Sequence, residues 1–400
     1  MDAQHLENMS DIWTVRGQAV VNRKGAHRVH AGHPWIYKSD VLRVPQADPG
    51  FVEVVTEDGR ILGQAMFSPK STILLRMITR GTAKIDPAEV KRRLKKALER
   101  RKIVMPKADA FRLVHGEADF LPGIFVDLYG DALVLQTLCG AADALESELV
   151  PMLDELISPR SLVIRDDAQT RSREQLRQHV TVVKGEAPVM AHYHEGDLAM
   201  SVDLLGDQKT GGFLDQAVNH VQVARYAYGE ALDCFTYHGG FALQLARVCQ
   251  NVTAYDISET ALARARANAE TSQIENISFV QANVFDVLPV LFTEGKRFDT
   301  IVLDPPAFAS GKQTVDAAMR AYKEINLRAM RLLKENGLLI SCSCSGRVDA
   351  ASFDDILLQA ARDAKRSVHV IEKRSAGPDH PVLAGVSETD YLKCRILMVC

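Results

Sequence analysis

The sequence predicts an α/β chain whose C-terminal half is a doubly wound parallel sheet ending in an antiparallel hairpin, preceded by a small β-barrel and a small α+β domain. Three observations carry this. From about residue 200 onward, strand-like and helix-like runs alternate, the rhythm of a parallel sheet covered on both faces. Before residue 84 the runs are short and alternating, broken by Pro45, Gly50, Gly59, Gly63, Pro69 and Gly81. A chain of 400 residues that is 46% hydrophobic has material for more than one core. The expected divisions are 12–83, 84–199 and 200–400.

In the first division, Val52-Glu53-Val54-Val55 and Ile73–Ile78 read as barrel strands. Asp86-Pro87 then supplies a cap and first turn. The helix that follows is strongly basic from Lys91 to Lys102, with Val90, Leu94, Ala97, Leu98 and Arg101 on one face at helical spacing. Its cationic outer face is either solvated or a phosphate contact. Strands are expected at Ile124–Leu128, Ala132–Thr137, Leu162–Arg165 and Thr181–Val183, with a helix over Leu145–Ile157. The last division should carry strands over Glu230–Phe235, Val252–Ile257, Ile277–Ala282, Thr300–Asp304 and Leu338–Ser343. Helices should fill Gly240–Val248, Ser258–Ala269 and Met319–Leu333. Val368–Lys373 and Tyr391–Val399 flank a loop with no crossover helix, which predicts the terminal hairpin with one antiparallel strand.

Charge and cysteine content narrow the function classes. With 48 Lys+Arg against 51 Asp+Glu the net charge is -3, so any nucleic-acid binding rests on local patches. Seven scattered cysteines do not form a disulfide framework, which suits a reducing cytoplasm. No run approaches the length of a membrane span, and the polar, acidic start Met1–Glu7 does not read as a secretory signal.

A doubly wound sheet binds its ligand at the C-terminal strand ends, near the switch point. The first strand ends Leu232-Asp233-Cys234-Phe235, and Thr236-Tyr237-His238-Gly239-Gly240 opens the next helix. Paired glycines let a backbone approach a ligand and let the helix lie close to its strand. Asp256, at the next strand end, can accept hydrogen bonds from two ribose hydroxyls. The Gly-x-Gly-x-x-Gly of a dinucleotide site is missing from this turn, so a mononucleoside-sized cofactor fits better. S-adenosylmethionine has that size, with its adenosine towards Asp256 and its amino-acid end towards the first loop. Asn283 either hydrogen-bonds the adenine edge or satisfies a local turn. Phe235, Tyr237, Gly239, Gly240, Ile257 and Val284 complete the candidate cofactor contacts beside Asp233.

Strand four ends Asp304-Pro305-Pro306-Ala307-Phe308, where two prolines stiffen the loop and hold the carboxylate at the sheet edge. Strand five ends Ser341-Cys342-Ser343-Cys344-Ser345-Gly346, and a thiol there can attack a ligand above the edge. Cys342 is expected to point differently or lie deeper, because side chains alternate along a strand.

These segments resemble the bacterial 23S rRNA cytosine-C5 methyltransferase I family. Asp304–Phe308, Tyr322-Lys323-Glu324-Ile325-Asn326 and Ser343-Cys344-Ser345-Gly346 are similar to it. So are Lys209–Gln216, Gly116–Gly123, His380-Pro381-Val382 and Tyr391-Leu392-Lys393. Ala31-Gly32-His33-Pro34-Trp35-Ile36-Tyr37 resembles its N-terminal RNA-binding PUA module. The resemblance implies a PUA-like barrel, a Rossmann-like methyltransferase sheet, S-adenosylmethionine as methyl donor and large-subunit ribosomal RNA as substrate. It implies Cys344 as nucleophile at cytosine C6, with Asp304 holding the base near N3/N4. Lys209 and Gln216 would close over the donor, while Pro305, Pro306, Phe308, His33 and Trp35 would face RNA. A homodimer follows by family analogy only, and no metal is implied. The chain departs from the family at His238, at Ala307 and in its second thiol.

His192-Tyr193-His194-Glu195 lacks the partners of a closed metal site. Trp35 and His33 either stack on a base or belong to the barrel core, and Arg165, Arg171 and Arg173 either touch RNA or, as the first reading, are solvated. Three rivals stay open: nucleobase-nitrogen methylation by the same fold, a non-catalytic RNA-binding factor, and a nicotinamide-dependent dehydrogenase.

Overall fold

The structure is a computed structural model, and it describes residues 12–208, 210–308 and 315–400. The chain divides into two compact units. One comprises residues up to Ala191 with Asp203–Gly211 and Pro378–Thr389; the other comprises His192–Val202, Gly212–Gly377 and Asp390–Cys400.

The first unit opens with β1 (Val15–Val21), α1 (Arg23–His30), β2 (Trp35–Ile36), β3 (Val41–Arg43), β4 (Gly50–Thr56), β5 (Ile61–Phe67) and β6 (Leu75–Met77). The six strands form one sheet in the order β2-β6-β5-β4-β1-β3, with β1 and β4 parallel. Val21, Val54, Phe67 and Leu75 belong to the apolar cluster it covers. Next comes α2 (Pro87–Val104), capped as its sequence suggests: the Asp86 carboxylate accepts the Glu89 N–H at 2.7 Å. Its buried residues are Val90, Leu94, Ala97, Leu98 and Arg101, the face marked by helical spacing.

Beyond it lie β7 (Ala110–His115), β8 (Ile124–Tyr129), β9 (Ala132–Thr137), α3 (Gly140–Ala144), α4 (Glu146–Ile157), β10 (Ser161–Asp166), α5 (Gln169–Arg173) and β11 (His179–Lys184). These strands form a sheet in the order β11-β10-β9-β8-β7. Phe51, Met66 and Ile78 share an apolar cluster with Leu94, Leu113, Val126 and Leu153, so one core spans both sheets of this unit.

A hairpin of β12 (Met190–Glu195) and β13 (Leu198–Asp203) leads to α6 (Leu214–Val223). The second unit continues with β14 (Glu230–Cys234), α7 (Gly240–Ala246), β15 (Asn251–Asp256), α8 (Glu259–Thr271), β16 (Ile277–Gln281), α9 (Val284–Thr293) and β17 (Phe298–Leu303). It ends with α10 (Val315–Leu332), β18 (Leu333–Ser343), α11 (Ala350–Ala364), β19 (Val368–Arg374) and β20 (Lys393–Val399). The sheet order is β16-β15-β14-β17-β18-β20-β19, parallel through β18, with β20 antiparallel to both its neighbours. Alternate residues feed two cores. Leu232, Cys234, Ile301, Leu303 and Leu339 face one, and Ala231, Val302, Leu338 and Ile340 face the other. Burial on both faces is what the near-continuous apolar strands require.

The chain runs outward from β14 through β15 to β16, then returns to β17 on the other side of β14. The switch point therefore falls between β14 and β17, whose C-terminal ends carry Asp233 and Asp304.

Candidate active site

The turn after β14 holds a strained backbone. Phe235, Tyr237 and Gly239 have φ of 67°, 49° and 86°, a left-handed conformation that suits only the glycine. Asp256 holds this turn in place. Its carboxylate accepts the Tyr237 N–H and the Ser258 N–H, each at 2.9 Å. Both oxygens keep further lone pairs for ribose hydroxyls. Beside it Ile257 is 69% exposed, an apolar side chain left out of both cores at the ligand edge.

Asp233 is fully buried. Its Oδ2 accepts the Thr236 hydroxyl at 2.6 Å, while Oδ1 has no hydrogen-bond partner among the described residues. Burial, with Asp304 adding like charge, pushes its carboxyl up to about 7. A buried carboxylate with an orphaned oxygen suits a cationic ligand group, and the amino-acid end of S-adenosylmethionine carries one.

From α6, Gln216 donates its Nε2 hydrogen to Asp304 Oδ1 at 2.9 Å and accepts from Asn219 at 2.7 Å. His220, four residues on, has its Nδ1 2.6 Å from Glu195 Oε2, and both side chains are buried. Burial opposes charging that ring, but Glu195, Asp304 and Asp233 outweigh it and raise its pKa. Neither His220 nor Glu195 was singled out from sequence as acting at this site, because their pairing joins residues 25 apart. The available signal was spacing: Gln216, Asn219 and His220 fall at i, i+3 and i+4, one face of a helix.

The paired glycines divide their work. Gly239 takes the left-handed cap, whereas a Cβ at Gly240 would meet the His220 ring at 2.3 Å. The missing side chain of Gly240 thus lets α7 pack against His220. Asn283 caps α9, its Oδ1 accepting the Phe285 N–H at 3.0 Å as the local-turn reading expects, while its amide nitrogen is left out of that bond. Val284 is buried beneath that cap.

β18 ends at Ser343, and the two thiols part there. Cys342 is fully buried opposite Cys394, and burial pushes its thiol far up. Cys344, just beyond the strand, is only partly buried. Alternation does not separate them, since residues two apart share a face; the strand's end does. The buried Tyr322 phenol is raised by burial and also senses the charges of Cys344 and Asp304, so these groups share one neighbourhood. Pro305 is buried and Pro306 exposed. Phe308 packs against Phe285 and Tyr322, with ring centroids 5.7 and 4.7 Å apart, and remains partly exposed. Lys209 lies outside the described residues.

In the first unit, Trp35 donates its ring N–H to Glu117 at 2.7 Å, and His33 accepts the Trp35 N–H and pairs with Glu388. Their polar atoms are thus engaged within the unit. A cleft nearby, lined by Pro34, Arg80, Arg93, Glu117, Phe120 and Leu383, leaves Phe120 53% exposed. Arg165 and Arg171 are not solvated: both are buried, bonded to Leu204 O and Asp207 O, and to Thr137 O and Arg177 O, respectively. No described helix is long and apolar enough to cross a membrane.

A PUA-like domain model matches residues 19–80 and a methyltransferase domain model matches residues 229–379. Ribosomal RNA large subunit methyltransferase I of Shigella boydii is 36% identical over 378 residues, covering 91% of this chain and 96% of that protein. The chain belongs to the ribosomal RNA large subunit methyltransferase I family. Its fold recurs in a solved methyltransferase complexed with SAH, at a TM-score of 0.84 and 18% identity, covering 96% of this chain and 100% of that one. A structure described as a SAM-dependent methyltransferase from Streptococcus mutans gives a TM-score of 0.83 at 19% identity over the same shares. Within the family's frame, the methyltransferase match begins one residue before β14 and takes in Asp233, Asp256, Asp304 and Cys344.

Proposed function

We propose that this protein is a cytoplasmic, S-adenosylmethionine-dependent methyltransferase that modifies cytosine C5 in large-subunit ribosomal RNA through a covalent Cys344 adduct at C6. When bound, S-adenosylmethionine supplies an electrophilic methyl group on a sulfonium. Asp233, Asp256 and the turn from Phe235 to Gly239 would hold it at the C-terminal edge of β14 and β15. Cytosine C5 is a poor nucleophile, and thiolate addition at C6 converts the ring to an enamine whose C5 can take a methyl group. Loss of the C5 proton and expulsion of the thiolate restore the ring.

The observation that carries the reading is the contrast of the two thiols: Cys344 is accessible at the strand end, and Cys342 is sealed beneath it. Asp304, at the end of β17 beside β18 and held by Gln216 of α6, would hydrogen-bond the N3/N4 edge. RNA contacts in the first unit would come from Phe120, Arg80 and Arg93 in the cleft and from Lys95, Lys96 and Lys102 on the exposed face of α2. A target base must leave its stack to reach such an edge.

The test uses ribosomal RNA containing 5-fluorocytidine, whose C5 substituent cannot leave as a proton. Wild-type protein with S-adenosylmethionine should form an RNA–protein adduct stable to denaturation. Cys342→Ser should keep it and Cys344→Ser should lose it. Adduct formation by Cys344→Ser, or none by wild type, would refute the covalent reading.

A further inference from the structure

The first residue of β20 enters the same strand-end neighbourhood. Lys393 pairs in register with Ser343, the last residue of β18, and is 4% exposed. Its ammonium donates to the Ser345 carbonyl at 2.6 Å and to the Tyr391 carbonyl at 2.7 Å. Ser345 follows Cys344 directly, so the contact fixes the cation one residue from the thiol.

An ammonium has three hydrogens, and the two carbonyls use two of them. Among the described residues no carboxylate lies within ion-pair distance of it, although Asp390 and Asp349 act on it from farther off. Arg395, two residues along β20, is bonded through its Nε to Asp354 and is thereby committed elsewhere. Tyr322 and Asp304, which share the neighbourhood of Cys344, offer no positive charge, and Arg347, three residues on, is exposed. Burial holds the Lys393 ammonium down at about 8, and the Cys344 sulfur is the foremost group opposing that. Lys393 is thus a described cation that is fixed beside the thiol and whose charge acts on it.

We propose that Lys393 is a positioning residue that holds Cys344 as a thiolate in the resting site and receives it again on expulsion. The inference rests on Cys344 being the nucleophile. The thiol proton passes to water, leaving a thiolate–ammonium pair. The sulfur lone pair then forms the S–C6 bond, and when that bond breaks the pair returns to sulfur beside the same ammonium. Lys393 stays protonated throughout, so the C5 proton leaves by another route. A bare thiol would be mostly protonated at neutral pH and a poorer leaving group.

The test is the pH dependence of iodoacetamide alkylation at Cys344, read by peptide mass so that the six other cysteines do not interfere. Wild-type protein should alkylate with a midpoint below the ordinary thiol value of about 8.5. Lys393→Met should raise the midpoint by about one unit or more, slowing alkylation at pH 7 by about tenfold. Lys393→Arg, which keeps a cation, should retain most of the wild-type behaviour. A wild-type midpoint at or above the ordinary value would overturn the proposal even if Lys393→Met failed to fold. So would a folded Lys393→Met protein with an unchanged midpoint. The 5-fluorocytidine adduct separates the two claims. A lowered midpoint that depends on Lys393, without an adduct in wild type, keeps the pair and removes the nucleophile; an adduct without that dependence does the reverse.

Discussion

Asp233 is the residue whose environment speaks most directly to ligand binding. Buried beside Asp304, it titrates near 7 when the pocket holds only protein. A ligand bearing positive charge favours its ionised form, so binding should release protons and tighten as pH rises from 6 to 8. Calorimetry of S-adenosylmethionine binding in buffers of different ionisation enthalpy checks this, and Asp233→Asn should bind more weakly without the pH slope. The same raised pKa carries a cost for the empty protein. With the carboxyl raised from 3.8, its contribution to stability is full below about 3.8 and falls as pH climbs to about 7, the sign for a group protonated in the fold. The strand-end acids were legible in sequence because a doubly wound sheet fixes where strands end, and each lies at such an end. The role of Asn283 was ambiguous, since cap and ligand contact use the same amide. The Glu195–His220 pair was hidden because only the fold brings β12 beside α6.

At the scale of elements, the approach of α7 to α6 depends on the missing side chain of Gly240. Gly240→Ala drives a methyl group into the His220 ring and should cost about 1–3 kcal/mol by urea unfolding, the range for overpacking. A smaller residue at position 220 should recover part of it, which a double-mutant cycle would read. In α2, Arg101 is fully buried and bonded to both Asp119 oxygens at 2.6 and 2.7 Å. Arg101→Ala leaves Asp119 buried without that partner, and a loss of about 3–5 kcal/mol is expected in the same measurement. Helical spacing had already put Arg101 on the buried face, against the usual preference for exposed arginine. Other elements escaped the sequence. The helix α9 carries Pro289 in its interior, which reads as a breaker, yet Asn283 caps it and Val284 and Leu288 bury one face. Strands β7 and β12 gave no clear signal because their alternation includes Arg112, His115, His192 and His194 among apolar neighbours.

Over the whole molecule, the chain crosses between its two compact units several times, so a cut in sequence is not a cut in structure. A fragment beginning at residue 200 starts inside β13 and leaves His220 without Glu195. A fragment beginning at His192 keeps both, and it should melt several degrees higher by circular dichroism, since removing one partner of a buried pair costs about 3–5 kcal/mol. Alternating βα units and the loop before β20 predict a parallel sheet with a terminal antiparallel hairpin, whereas the strand order comes from the structure. The pattern around Cys344 implies that cytosine C5 receives the methyl group. That is tested by labelled methyl transfer to large-subunit ribosomal RNA, followed by digestion and nucleoside mass spectrometry. The label should appear in 5-methylcytidine with wild-type protein and vanish with Cys344→Ala. Label in a nitrogen-methylated nucleoside, or product persisting in Cys344→Ala, would contradict it.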